Sequence, residues 1–81
     1  MTLESLRDAE RVIGVKQVTK AVQKGQADAV FLADDADGRM TEPLLQLAEE
    51  MGVPVVHVPT KQALGEACSI KRSAAAAVLR Q

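Results

Sequence analysis

The six residues Ala74-Ala75-Ala76-Ala77-Val78-Leu79 decide the fold. Alanine and leucine favour helix, yet a strand at this point completes a chain in which strands and helices alternate. The run therefore reads as a strand. Working back from it, Ala29, Val30, Phe31, Leu32 and Ala33 form a continuous apolar stretch, the mark of a central strand covered on both faces. Val53 to Val58 is a further strand, with Pro54 at its first residue or on a sheet edge, since proline cannot donate to a ladder. Val12 to Gly14 is a short one.

Helical patterns fill the gaps. Thr2 can cap a first helix that carries Leu3, Leu6 and Ala9 inward as far as about Arg11. Val15, Val18, Ala21 and Val22 recur at the 3, 4 and 7 spacings of one buried stripe. That helix runs from about Val15 to Lys24 and stops at Gly25, a residue suited to the left-handed position past a helix end. Thr41, Glu42 and Pro43 form a helix start, because proline in the first turn lacks only an N–H that would be orphaned anyway. This third helix buries Leu44, Leu45, Leu47, Ala48 and Met51, and Gly52 closes it. Thr60 caps a fourth, through about Ala67, with Ala63, Leu64 and Ala67 inward. The alternation implies an α/β fold, a three-layer α/β/α sandwich with a single, mixed, four-stranded sheet.

At 81 residues the expectation is one domain, residues 1–81, with no internal repeat or low-complexity linker. No apolar run is long enough to span a bilayer. Charges at Glu4, Arg7, Asp8, Glu10 and Arg11 stand where a signal peptide needs an apolar stretch, so a cytoplasmic protein with no membrane partner is expected. The single cysteine, Cys68, cannot make an internal disulfide, and with one histidine, His57, there is no Cys/His set for zinc.

The formal net charge is −1, but it hides strong segregation. Residues 12–25 sum to +3 and residues 61–81 to +3, flanking residues 26–60 at −6. On the second helix, Lys16, Gln17 and Lys20 share the side opposite the apolar stripe, and Lys24 extends it by a turn. The same spacing describes the solvated face of any amphipathic helix. Lysine at a helix start is nonetheless electrostatically awkward, because the dipole favours cations at the other end, and a nearby polyanion would relieve that cost.

Other chemistries fit less well. Asp34, Asp35 and Asp37 before Gly38 invite a metal or phosphoacceptor reading. The calcium-loop template fails, since it needs an aspartate where Ala33 stands and a glutamate where Leu44 stands, and an acidic solvated loop is the better reading. His57 has no Ser, Cys or carboxylate at local triad spacing, so a structural role is expected. Cys68, beside a helix end, reads as a small buried residue. With no nucleophile, metal set or phosphate-cradling glycine loop, a non-enzymatic protein without a cofactor is expected. Phe31 is the only aromatic residue and belongs to the core, which excludes recognition by exposed base-stacking platforms.

Two separated motifs carry a resemblance. Gly14 to Lys20 is similar to a helix-start signature that reads glycine, any residue, asparagine, glutamate, any residue, threonine, lysine. Leu64-Gly65-Glu66-Ala67-Cys68, followed by Ser69-Ile70-Lys71-Arg72-Ser73-Ala74, is similar to a loop before a last strand, and Ala33 to Asp37 to an acidic loop after the central one. In this order, and over nearly the whole length, the chain resembles the kink-turn-binding ribosomal protein L-seven-Ae family, its small bacterial stand-alone members in particular. The resemblance implies binding to a kink-turn, a bent RNA duplex with tandem sheared G·A pairs beside a short bulge, in ribosomal or regulatory RNA. It implies that Gly14 lets the backbone approach and that Lys16, Gln17 and Lys20 meet guanine edges and phosphates in the widened major groove. Ile70 would cover a bulged base, with Lys71 and Arg72 on phosphates.

Lys16 stands where the archaeal members carry asparagine, and Gln17 where they carry glutamate. Both differences add positive charge and raise the salt-dependent share of affinity. The implied partners are a structured RNA and a ribosome or other ribonucleoprotein, with no DNA. The alternative is a protein-interaction module within a ribonucleoprotein, docking through the acidic middle or the charged helix faces without direct base readout.

Overall fold

The computed structural model describes residues 11–67 and 73–79. In chain order these form β1 (Arg11–Ile13), α1 (Val15–Gln23), β2 (Ala27–Ala33), α2 (Gly38–Glu50), β3 (Val55–Val58), α3 (Lys61–Ala67) and β4 (Ala75–Leu79). The four strands make one sheet in the order β1-β4-β2-β3. β4 is antiparallel to both neighbours, with Ile13 opposite Ala76 on one side and Leu32 opposite Ala75 on the other. β2 and β3 are parallel, Val30 opposite Val55 and Ala33 opposite Val58, joined by α2 as the crossover that parallel strands require. The mixed four-stranded sheet is thus the expected one. Among the described residues no helix is long and apolar enough to cross a membrane.

Each sheet face has its own apolar cluster. On one face Val30 and Leu32 of β2 and Ala75 and Ala77 of β4 meet Val18, Ala21 and Val22 of α1 and Leu44 and Ala48 of α2. On the other, Ala29, Phe31 and Ala33 with Ala76 and Val78 meet Leu64 and Ala67 of α3. Alternation along β2 and β4 follows from the two-residue pleat. It breaks once: Ala27 belongs to the first cluster although Ala29 belongs to the second, because a register irregularity lies between them opposite Val78 and Leu79. β4 is an inner strand made largely of alanine, and Ala75, Ala76 and Ala77 are fully buried. Two layers of helix therefore outweigh alanine's local helix preference, since packing decides β-propensity.

Four boundaries differ from expectation. α2 begins at Gly38 and not at Thr41: the Asp37 side chain accepts the Arg39 N–H at 2.9 Å, and the Thr41 N–H already donates to the Asp37 carbonyl at 3.2 Å. Aspartate is as good an N-cap as threonine, so the upstream cap adds nearly a turn. Pro43 consequently sits inside the helix, where it withholds the bond its N–H would give to the Arg39 carbonyl. The first helix was expected to reach Arg11, but Arg11 is paired with Val78 in β1; the rest of that helix falls on residues outside those described. β1 ends at Ile13, Gly14 becoming the helix cap, and β3 starts after Pro54, whose carbonyl accepts the Val30 N–H at 2.9 Å.

Between β4 and α1 there is no room for a longer side chain at a fully buried alanine. Ala77→Leu should lower unfolding free energy by about 1–3 kcal/mol, through overpacking, read as a fall in the urea midpoint at unchanged m-value.

Candidate nucleic-acid interface

The site is built from the end of β1 outward. Gly14 has φ 101° and ψ 143°, a backbone shape that side chains resist, and it turns the chain from β1 into α1. Its N–H donates to the Ala75 carbonyl at 2.9 Å and its carbonyl accepts the Val18 N–H at 2.9 Å. Because Val18, Ala21 and Val22 face the core, Lys16, Gln17 and Lys20 are exposed, with Lys24 exposed at the C-cap. The Thr19 hydroxyl donates to the Val15 carbonyl at 2.7 Å and stays on the helix. No side chain among those described caps α1, and its first turn carries no acid, so its leading N–H groups add to the cationic surface.

The neighbouring loops meet Gly14 along one rim of the sheet. The Ala33 N–H donates to the Ala74 carbonyl at 3.0 Å and the Asp34 N–H to the Val58 carbonyl at 2.7 Å. The three acids of the loop after β2 each have a partner in the fold. Asp34 Oδ1 lies 3.0 Å from His57 Nδ1, Asp35 Oδ1 accepts the Lys61 N–H at 2.7 Å, and Asp37 caps α2. At the start of α3 the Thr60 hydroxyl accepts the Ala63 N–H at 3.0 Å, the expected cap. Among the described residues no group of three His, Cys, Asp or Glu could hold a metal ion. The loop is acidic and exposed, as its sequence suggested, and three of its carboxylates are tied to structure.

Of the four predicted residues of the first motif, Gly14, Lys16 and Gln17 lie at the start of α1, and Lys20 follows one turn on, exposed in the last turn. Ile70, Lys71 and Arg72 of the second motif, and Cys68, lie outside the described residues. The chain re-enters the described part at Ser73, which is buried. Its N–H donates to the Lys61 carbonyl at 3.4 Å and its hydroxyl to the Ala75 carbonyl at 2.6 Å. That carbonyl is the one Gly14 also uses. A groove of about 380 Å³ between α1 and α2, lined by Val15, Thr19, Met40, Pro43, Leu47 and Glu50 among others, had no counterpart in the sequence reading.

The two glycines that open helices are under different constraints. A Cβ on either meets nothing within 4 Å, so only torsion distinguishes them, and of the two only Gly14 has positive φ. Gly14→Ala should cost about 1–3 kcal/mol by strain, whereas Gly38→Ala should stabilise by about 0.4–1 kcal/mol by restricting the unfolded chain. Urea denaturation of the two variants checks both signs.

The sequence model of the Ribosomal protein L7Ae/L30e/S12e/Gadd45 family matches residues 2–81. The chain is 42% identical over 82 residues to "RNA-binding protein YbxF" of Geobacillus stearothermophilus, covering 99% of this chain and 100% of that one. An RNA-binding protein of Geobacillus thermodenitrificans (strain NG80-2) is 40% identical over 82 residues with the same coverage. Among solved structures, the Giardia lamblia 15.5kD RNA binding protein is similar with a TM-score of 0.88 at 29% identity, over 98% of this chain and 71% of that one. A protein with unknown function from Bacillus halodurans C is similar with a TM-score of 0.87 at 32% identity, over 96% of this chain and 83% of that one. The match runs through both motifs and the whole sheet, and the chain belongs to the ribosomal protein L7Ae/L30e/S12e/Gadd45 family.

Proposed function

We propose that this chain is a non-enzymatic RNA-binding protein that recognises and stabilises kink-turns in ribosomal or regulatory RNA. The observation that carries the reading is the exposed side of α1: a positive-φ glycine, uncapped N–H groups and exposed Lys16 and Gln17 at its start, with exposed Lys20 one turn on, in a chain whose relatives are named RNA-binding proteins. An ordinary A-form major groove is too narrow for a helix end, so such a face suits a duplex already opened by a bend. Gly14 admits the backbone, while lysine and glutamine supply donors to guanine O6 and N7 and to phosphates. Ile70 on a bulged base, with Lys71 and Arg72 on phosphates, completes the proposed site. β4, the next described element in the chain, begins beside Gly14, whose N–H donates to the Ala75 carbonyl.

The protein acts by population. It shifts the RNA towards the bent form only as far as its affinity for bent exceeds that for extended RNA. Lys16 and Gln17, in place of asparagine and glutamate, put more of that affinity into counterion release and less into base pattern.

Titration calorimetry tests the reading with a short kink-turn RNA against the same RNA whose sheared G·A pairs are replaced by Watson–Crick pairs, at near-physiological salt. Tight binding to the first alone is expected. Equal, weak, salt-sensitive binding to both would overturn it and favour docking onto a protein. In the Lys16→Ala, Lys20→Ala double variant, affinity should fall and the slope of log K against log salt should flatten by about 1–2 as phosphate contacts are lost. The Ile70→Ala, Arg72→Ala double variant tests the second motif separately, and unchanged affinity there would remove it from the site.

A further inference from the structure

A chain of hydrogen bonds crosses the rim from the acidic loop to the start of α1. The Asp35 carboxylate accepts the Lys61 N–H at 2.7 Å. The Lys61 carbonyl accepts the Ser73 N–H at 3.4 Å, the longest link. Ser73, buried at 7% relative exposure, donates its hydroxyl to the Ala75 carbonyl at 2.6 Å, and the Ala75 N–H returns to the same hydroxyl at 3.3 Å. The Ala75 carbonyl also takes the Gly14 N–H at 2.9 Å. Asp35, 26 residues from Lys61 in sequence, thus holds the backbone that holds Ser73, and Ser73 shares its acceptor with the glycine that opens α1.

The carboxylate's placement is electrostatically odd. It lies on the rim where, in the proposed function, a polyanion arrives, and a negative charge there opposes binding. Its partner is a backbone N–H at the first residue of α3, a helix whose next cap bond is made by Thr60, so Asp35 satisfies a donor that α3 itself cannot. Charge-assisted bonds of this type are the stronger ones.

From this we infer that Asp35 is a positioning residue for RNA binding, acting through its hold on the Lys61 N–H and, by way of Ser73 and Ala75, on the seat of Gly14. It rests on the RNA-binding reading above and adds to it the residues that fix the geometry without touching RNA. Loss of the Asp35 bond frees the start of α3 and the head of β4, and the rim must then be ordered by the RNA itself, which lowers affinity for the one RNA shape the rim fits.

Two substitutions separate bond from charge. Asp35→Asn removes the charge and keeps an acceptor oxygen; Asp35→Ala removes both. Each is titrated with the kink-turn RNA and with its Watson–Crick-paired control, and its urea midpoint is measured. For the kink-turn, Kd should rise about tenfold in Asp35→Ala, the scale of one lost charge-assisted hydrogen bond, and stay within about twofold of the parent in Asp35→Asn. Binding to the control RNA should be unchanged in both, which a generally weakened fold would not leave intact. Ser73→Ala breaks the same chain at a second link and carries the same direction, so poor folding of one variant leaves the other decisive. Tighter binding in both Asp35 variants would overturn the inference by making charge the operative property, and so would unchanged binding in Asp35→Ala and Ser73→Ala. A parent protein that fails to distinguish the two RNAs overturns the RNA reading itself, an outcome visible before any variant is made.

Discussion

The insertion of β4 between β1 and β2 is the constraint on which the rest depends. β4 runs antiparallel to both neighbours, so its first residue lies at the rim where β1, β2 and β3 all end. The starts of α1, α2 and α3 follow those ends, and all three helices therefore begin at the same end of the sheet, α1 and α2 on one face and α3 on the other. Gly14, Asp34, Lys61 and Ser73 are neighbours through that topology alone, linked by backbone bonds to Ala75, Val58 and one another. Alanine makes the insertion possible, because a strand flanked by helices on both faces leaves little space above or below it.

The distribution of charge follows the same division. The acids of the loop after β2 are spent on the fold: one faces His57, one serves the first N–H of α3, one caps α2. The lysines of α1 point to solvent. Lys16, in the first turn, costs a few tenths of a kcal/mol, up to about 1 kcal/mol, because the dipole there is already positive, whereas Lys20, in the last turn, lies where the dipole favours a cation. A cost of that size is tolerable in the free protein and is reversed when an anion approaches. Net charge near zero is thus compatible with a polyanion partner, since what a phosphate meets is the local field and not the sum.

Much of this arrangement is written in local pattern. The helix spacing of Val15, Val18, Ala21 and Val22 fixes which side of α1 is buried, and with it the exposure of Lys16, Gln17 and Lys20. The unbroken apolar run of β2 marks it as an inner strand, and the alternation of elements identifies β4 in spite of its alanines. What escapes is whatever depends on two distant segments. The Asp34–His57 pair spans 23 residues and the Asp35–Lys61 bond spans 26, so neither leaves a periodicity to detect. The start of α2 escapes for a different reason: Thr41-Glu42-Pro43 is a sound opening signal, but Asp37, read from sequence as part of an acidic loop, supplies a cap earlier in the chain. The irregularity between Ala27 and Ala29 is invisible because alanines on either sheet face look alike in sequence.

In the proposed site, affinity and shape selection would be carried by different parts. Long, exposed lysine side chains reach many phosphate positions and discriminate little among them, so they supply attraction that salt can screen. The rim is the opposite: Gly14, Ser73 and Ala75 are joined by bonds of 2.6–2.9 Å around one carbonyl, and Ser73 and Ala75 are buried. Such a rim cannot adapt to an extended duplex without giving up those bonds, and a surface that discriminates between RNA shapes must be less adaptable than the RNA. If the proposed site binds RNA as set out above, binding energy from the lysines is available to both RNA forms, whereas the difference between them is set by the rim. Only that difference shifts the RNA population.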